Sequence, residues 1–182
     1  TLFGRVQGLP VARFRSVAVD REGTVWIGTN GAGLVSMRAG EVTVRSTKDG
    51  FPSDDIVTVL PDPAGGVWAS TAGSGLVRIS GSSHRVYGRE DGLPTEQLTA
   101  LAFDSAGTLW AGTWGSGVCR FVPGAVSCLG AGPLSNDKVW SLLPDKEGFV
   151  WVGTWVGGLN RLRDRSFLTW GTPEGLSNEN VR

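Results

Sequence analysis

Apolar residues along this chain come in short runs, often alternating with polar ones, and each run is closed by glycine, proline, aspartate or serine. No stretch carries the three-to-four spacing of an amphipathic helix, so the pattern predicts short strands joined by tight turns. Residues 53–94 show the plan. A β-rich run at 56–60 (IVTVL) stops at a turn, 61–66 (PDPAGG), and a second run follows at 67–71 (VWAST). A glycine loop at 72–75 leads to a third run, 76–79 (LVRI), and a Gly/Ser turn to a fourth, 85–87 (RVY). Residues 89–94 (REDGLP) then cross to the next unit. Four strands in this order make an antiparallel meander.

The plan recurs. Aspartate is followed three residues later by glycine and three after that by tryptophan at Asp20-Gly23-Trp26, Asp62-Gly65-Trp68, Asp104-Gly107-Trp110 and Asp145-Gly148-Trp151. The tryptophans are 42, 42 and 41 residues apart and open the strings WIGT, WAST, WAGT and WVGT. Aspartate binds backbone N–H groups near its own position and glycine accepts positive φ, so each pair marks a turn. One such sheet cannot cover its tryptophan, which is therefore expected to pack between neighbouring sheets, with the small residue two places on making room. Stacked four-stranded units of this period predict an all-β fold, a β-propeller with about four complete blades at residues 11–48, 53–90, 95–130 and 135–171. A solenoid of β meanders is the minor alternative. Residues 1–10 align with 85–94 and are expected to be an outer strand and crossover, and 172–182 the start of a further blade. That order suggests a segment of a longer array or a half ring that pairs with a second copy, because open blade faces favour association.

Composition narrows the partners. Seventeen basic residues balance seventeen acidic ones and are scattered, which argues against a nucleic-acid face or an anionic membrane surface. No apolar run is long enough to span a membrane, so no membrane contact is expected of this segment. The 28 glycines recur in register between apolar runs and read as turns. The chain has one histidine, His84, placed in the turn at 81–84 and read as a solvated residue. With no Cys/His cluster, calcium-type loop or phosphate loop before a helix, no catalytic residue, metal or cofactor is expected. The four repeated aspartates are read as structural.

Departures from the repeat are the better functional candidates. After the strand-closing threonine the four units carry Asn30, Ala72, Trp114 and Trp155. Trp140 stands in the first strand of its unit where the others have Arg15, Val57 and Thr99. Trp114 and Trp155 at equivalent places suggest an aromatic platform for a sugar or other flat ligand, with Trp140, Asn30 and Arg15 as further candidates and Arg15 and Trp140 set toward a central channel. The plainer and favoured reading is that these tryptophans fill space between blades. Cys119 and Cys128 flank Pro123-Gly124 symmetrically, so a hairpin centred there sets them opposite for a cross-strand disulfide. Proline at the first turn position disfavours the primed turns of a two-residue hairpin, which leaves two half-buried thiols as the favoured alternative. A disulfide would agree with an oxidising compartment.

The string D-x-x-G-x-[VL]-W-x-[GS]-T, best seen at Asp20 to Thr29 and Asp145 to Thr154, is followed by Gly33-Leu34 and Gly158-Leu159. The crossovers read Gly8-Leu9-Pro10, Gly50-Phe51-Pro52, Gly92-Leu93-Pro94 and Gly175-Leu176-Ser177, with a weaker Gly132 to Leu134. This combination resembles the two-component regulator propeller repeat, over nearly the whole chain. The resemblance implies an extracytoplasmic sensor region of a bacterial histidine kinase, hybrid kinase or diguanylate cyclase, in a ring usually larger than four blades. It implies a small-molecule or glycan ligand and, as partners, further blades or a second copy. Two other readings stay open: a propeller lyase similar to the streptogramin lyases, expected to need a histidine and acidic residues around a metal, and a pure protein-interaction scaffold.

Overall fold

The computed structural model describes residues 4, 8–122, 125–130 and 132–163, and the backbone of 166–170. Among the described residues sixteen strands form four antiparallel sheets of four, each a meander in chain order. The first sheet comprises β1 (Arg13–Val19), β2 (Val25–Asn30), β3 (Leu34–Arg38) and β4 (Glu41–Arg45). The second holds β5 (Ile56–Pro61), β6 (Val67–Thr71), β7 (Leu76–Ser80) and β8 (Ser83–Tyr87). The third holds β9 (Leu98–Phe103), β10 (Leu109–Thr113), β11 (Val118–Val122) and β12 (Ala125–Leu129). The fourth holds β13 (Val139–Pro144), β14 (Val150–Thr154), β15 (Leu159–Arg163) and β16 (Ser166–Trp170). Among the described residues the remaining regular structure is two single 3-10 turns, Thr47–Asp49 and Arg89–Asp91, inside crossovers that the sequence pattern left irregular. The expected crossover at Gly175 and further blade at 172–182 lie outside the described residues.

The chain divides into two compact units, Thr1–Tyr87 and Gly88–Arg182, each holding two sheets. In the first unit Trp26 and Leu34 of one sheet pack against Ile56, Val59, Val67 and Ala69 of the next. Leu9, from the crossover, lies on Ile27 and Val35. In the second unit Trp110 and Val118 pack against Val139, Val150 and Val152. Apolar burial between faces, at roughly 25 cal/mol per Å², is the main term holding each pair. The small residue two places after Trp26 and after Trp110 does make room. A Cβ added to Gly28 would lie 3.0 Å from Ile56 Cγ2, and one added to Gly112 only 2.5 Å from Val139 Cγ1. A β-branched knob from one sheet thus fills a glycine notch in its neighbour.

The aspartates do more than shape turns. Asp20 Oδ1 accepts the N–H groups of Glu22 and Thr24, while its Oδ2 accepts the indole Nε1–H of Trp26 at 2.8 Å. Trp68, Trp110 and Trp151 donate in the same way to Asp62, Asp104 and Asp145 at 3.0, 2.8 and 2.9 Å. The motif therefore ties turn to ring in every blade, so the indole N–H is satisfied where the ring is buried. Each closing threonine donates its hydroxyl to the glycine carbonyl four residues on: Thr29 to Gly33, Thr71 to Gly75, Thr113 to Gly117, Thr154 to Gly158.

The sequence pattern also misplaced His84. It lies in strand β8 opposite Ile79, not in the turn, with its ring 5.3 Å from that of Phe51. The strand begins two residues earlier than the RVY run because Ser80 and Ser83 pair across a tight connection. The turn at Pro123 and Gly124 lies outside the described residues, but the strands on either side keep strict register. Cys119 and Cys128 are directly opposite and joined in a disulfide. The proline did not displace the register, because five consecutive pairs from Val118 with Leu129 to Val122 with Ala125 hold it.

Candidate ligand-binding site

The first strand of every blade is irregular at one place. Pairing skips a residue at Arg15, Val57 and Trp140, and at Thr99 between Leu98 and Ala100. These are β-bulges, which re-aim the extra side chain out of the regular alternation. Trp140, the aromatic one of the four, is 40% exposed.

Trp114 and Trp155 follow β10 and β14, and Lys138, just before β13, brings them together. The backbone of Lys138 makes a β-bridge with Trp114, and its carbonyl accepts the N–H of Trp155 at 2.9 Å. The three rings then touch one another. Trp114 to Trp140 is 5.8 Å between centroids, Trp114 to Trp155 is 5.5 Å and Trp140 to Trp155 is 5.3 Å, at interplanar angles of 48 to 66°. This close triangle leaves no gap for a ligand between rings, so it is a solid aromatic surface and not a cage. Its outer face offers ring faces and edges to a flat apolar surface. The ammonium of Lys138 lies 5.5 Å from the Trp114 ring, within cation–π range, and places a positive charge beside the aromatic surface.

Asn30 and Arg15 belong to the first unit. Asn30 occupies the place of Trp114 and Trp155 in its own blade and donates Nδ2–H to Asp55 Oδ1. Arg15 is exposed at its bulge.

Four residues around Trp155 were missed by reading only the tryptophans. Val156 has φ 129°, where the equivalent residues Gly31, Gly73 and Gly115 have φ 89, 107 and 104°. A β-branched residue there is strained. Ser135 stands where Pro10, Pro52 and Pro94 close the three crossovers before the other blades. Its N–H donates to Asn160 Oδ1 at 3.0 Å, and Asn160 Nδ2–H donates to Ser135 Oγ at 2.8 Å. Asn160 is fully buried at a position held by Val35, Val77 and Cys119 in the other blades. Gly157 completes the change, since a Cβ there would lie 2.6 Å from Asn136 Cβ. The fourth blade has thus exchanged an apolar clamp for a polar one beneath the tryptophan loop. The signal was present in the sequence as a glycine, a proline and an apolar residue lost together from one repeat.

Comparison with known proteins follows this geometry. A family model described as two component regulator propeller matches residues 8–31, 92–115 and 133–156. No curated protein matches the chain. Among solved structures, it is similar to the extracellular domain of a hybrid two component system, BT3049, from B. thetaiotaomicron, with 22% identity and TM-score 0.82 over 95% of this chain. It is also similar to PorZ, a surface component of the type-IX secretion system of Porphyromonas gingivalis, at 17% identity and TM-score 0.74 over 96% of the chain. Virginiamycin B lyase from Staphylococcus aureus superposes at 13% identity and TM-score 0.73 over 92%. The chain spans 26%, 29% and 58% of these three structures, respectively. At such identities the likeness shows the propeller fold.

Proposed function

We propose that this chain, three stretches of which match the two component regulator propeller model, is a non-catalytic sensor module of a bacterial signal-transduction receptor, placed on the extracytoplasmic side of the membrane. Its ligand, a small molecule or glycan, rests on the surface of Trp114, Trp140 and Trp155. One observation carries the reading: the three tryptophans that break the repeat converge on one another with Trp140 open to solvent. The motif tryptophans, by contrast, are tied to aspartates. Similarity to the ectodomain of a hybrid two-component system supports the sensor role, and the disulfide supports an oxidising compartment. A kinase or cyclase output in the whole receptor is part of the same proposal.

The test is a titration of neutral and acidic oligosaccharides and small aromatic compounds, read by intrinsic tryptophan fluorescence and by calorimetry. A binder found this way should lose about tenfold or more in affinity on Trp140→Ala, the cost of removing an aromatic contact. Unchanged affinity in both Trp140→Ala and Trp155→Ala would sink the site. The fold likeness to virginiamycin B lyase keeps an enzyme reading in view. Metal-dependent turnover abolished by His84→Ala would favour it over the sensor.

A further inference from the structure

What the indole nitrogens do separates the described tryptophans into two classes. The four motif tryptophans each donate Nε1–H to the aspartate of their own turn. Among the described residues, by contrast, nothing accepts the Nε1–H of Trp114, Trp140 or Trp155. Nor is that nitrogen buried in Trp114 or Trp155. Lys138 is of the same kind. Its ammonium lies 5.5 Å from the Trp114 ring and, among the described residues, forms no ion pair, not even with the adjacent Asp137.

These groups are open where their surroundings are described. Trp114 and Lys138 bridge the third and fourth sheets, and Lys138 is exposed there. The bulge position of Trp140 is open in the third sheet also. Thr99 holds that place with its hydroxyl on the Val139 carbonyl of the fourth sheet, and it is still only half-buried.

An indole N–H and an ammonium donate hydrogen bonds and accept none. The open polar groups of the aromatic surface are therefore all donors, and one of them carries a full positive charge. A neutral sugar presents hydroxyls that donate as well as accept, and the donating half finds no partner on such a surface. A carboxylate presents acceptor lone pairs alone, and its bonds to these donors are charge-assisted. The rings ask for a flat or apolar face beside that charge.

We infer that the ligand of this surface is an anion, a carboxylate carried on a ring, with the ring on the tryptophans and the carboxylate at Lys138. The inference rests on the aromatic site proposed above and adds the charge of what it binds. Aromatic acids and uronic acids share this chemistry.

The experiment titrates the 182-residue chain by calorimetry with two pairs of compounds: benzoate against benzamide, and trigalacturonate against its methyl ester. Each pair keeps the ring and removes the charge, and the tighter-binding acid identifies the source. The variants are Lys138→Gln, Trp140→Ala and Trp155→Ala. Gln97 holds the place of Lys138 in the third blade, and its carbonyl accepts the Trp114 N–H as that of Lys138 accepts the Trp155 N–H. Lys138→Gln thus keeps the backbone bond that seats Trp155. At least one acid should bind about tenfold tighter than its neutral partner, and the gap should narrow as salt is raised. Lys138→Gln should abolish the gap and leave the neutral compound's affinity unchanged, whereas Trp140→Ala should weaken both. Equal binding within both pairs, or a preference that survives Lys138→Gln, overturns the proposal and leaves the aromatic site standing. Acid binding unchanged in both tryptophan variants sinks the aromatic site and this proposal with it. Binding of neither acid overturns the proposal alone, because neutral compounds test the site separately.

Discussion

At the scale of single residues, the repeated aspartates and the one misplaced valine carry the clearest energetic consequences. Burial pushes the carboxyls of Asp20 and Asp145 up, but hydrogen bonds outweigh it. For Asp20 these come first from the Trp26 indole and then from the N–H groups of Thr24 and Glu22; for Asp145 they come from Phe149, Trp151 and Glu147, with Arg161 adding charge. Both pKa values end below the ordinary range. A depressed carboxylate contributes stability that is full above its unfolded pKa and is lost as pH falls through the folded one. Urea midpoints should therefore hold from neutral pH down to about pH 4 and fall below it, and a midpoint that rises on acidification contradicts the pairing. At Val156, strain of about 1–3 kcal/mol is stored, and the residue is 52% exposed, so little burial is lost on truncation. Glycine adds unfolded-chain entropy of about 1 kcal/mol, so Val156→Gly should stabilise by about 1 kcal/mol net in urea unfolding. Destabilisation would show that the loop is not strained. The aspartate turns were legible because they recur; the strain was not, because a backbone angle is imposed by the packing around it.

At the scale of elements, the meander and its four strands were legible from runs and turns, and strand β6 falls on residues 67–71 as its pattern predicts. What the pattern could not show were the bulges, since an extra residue in one strand is defined only by its partner across the ladder. The hairpin of β11 and β12 makes the same point. Proline at 123 argued for a shifted register, yet ladder pairing sets Cys119 against Cys128. With a separation of 9 residues, loop-closure entropy puts the disulfide at about 2–3 kcal/mol. Thiol titration of the denatured, unreduced chain should find no free thiol, and dithiothreitol should lower the unfolding midpoint correspondingly. Two titratable thiols would contradict the cross-link.

At the scale of the whole molecule, the repeat explains both its order and its exceptions. Identical packing of sheet on sheet inside each unit makes the fourth blade's departures stand out as a set: Trp140 at the bulge, Trp155 before a strained Val156, and Ser135 with Asn160 beneath. The sequence by itself determined the all-β repeat, the turn chemistry and the identity of the odd tryptophans, because period and composition are local properties of the chain. Tertiary structure decided that Trp114, Trp140 and Trp155 meet, and that Lys138 joins them. Those are relations between residues up to 41 positions apart, and only the packing of one sheet on another brings such positions within reach.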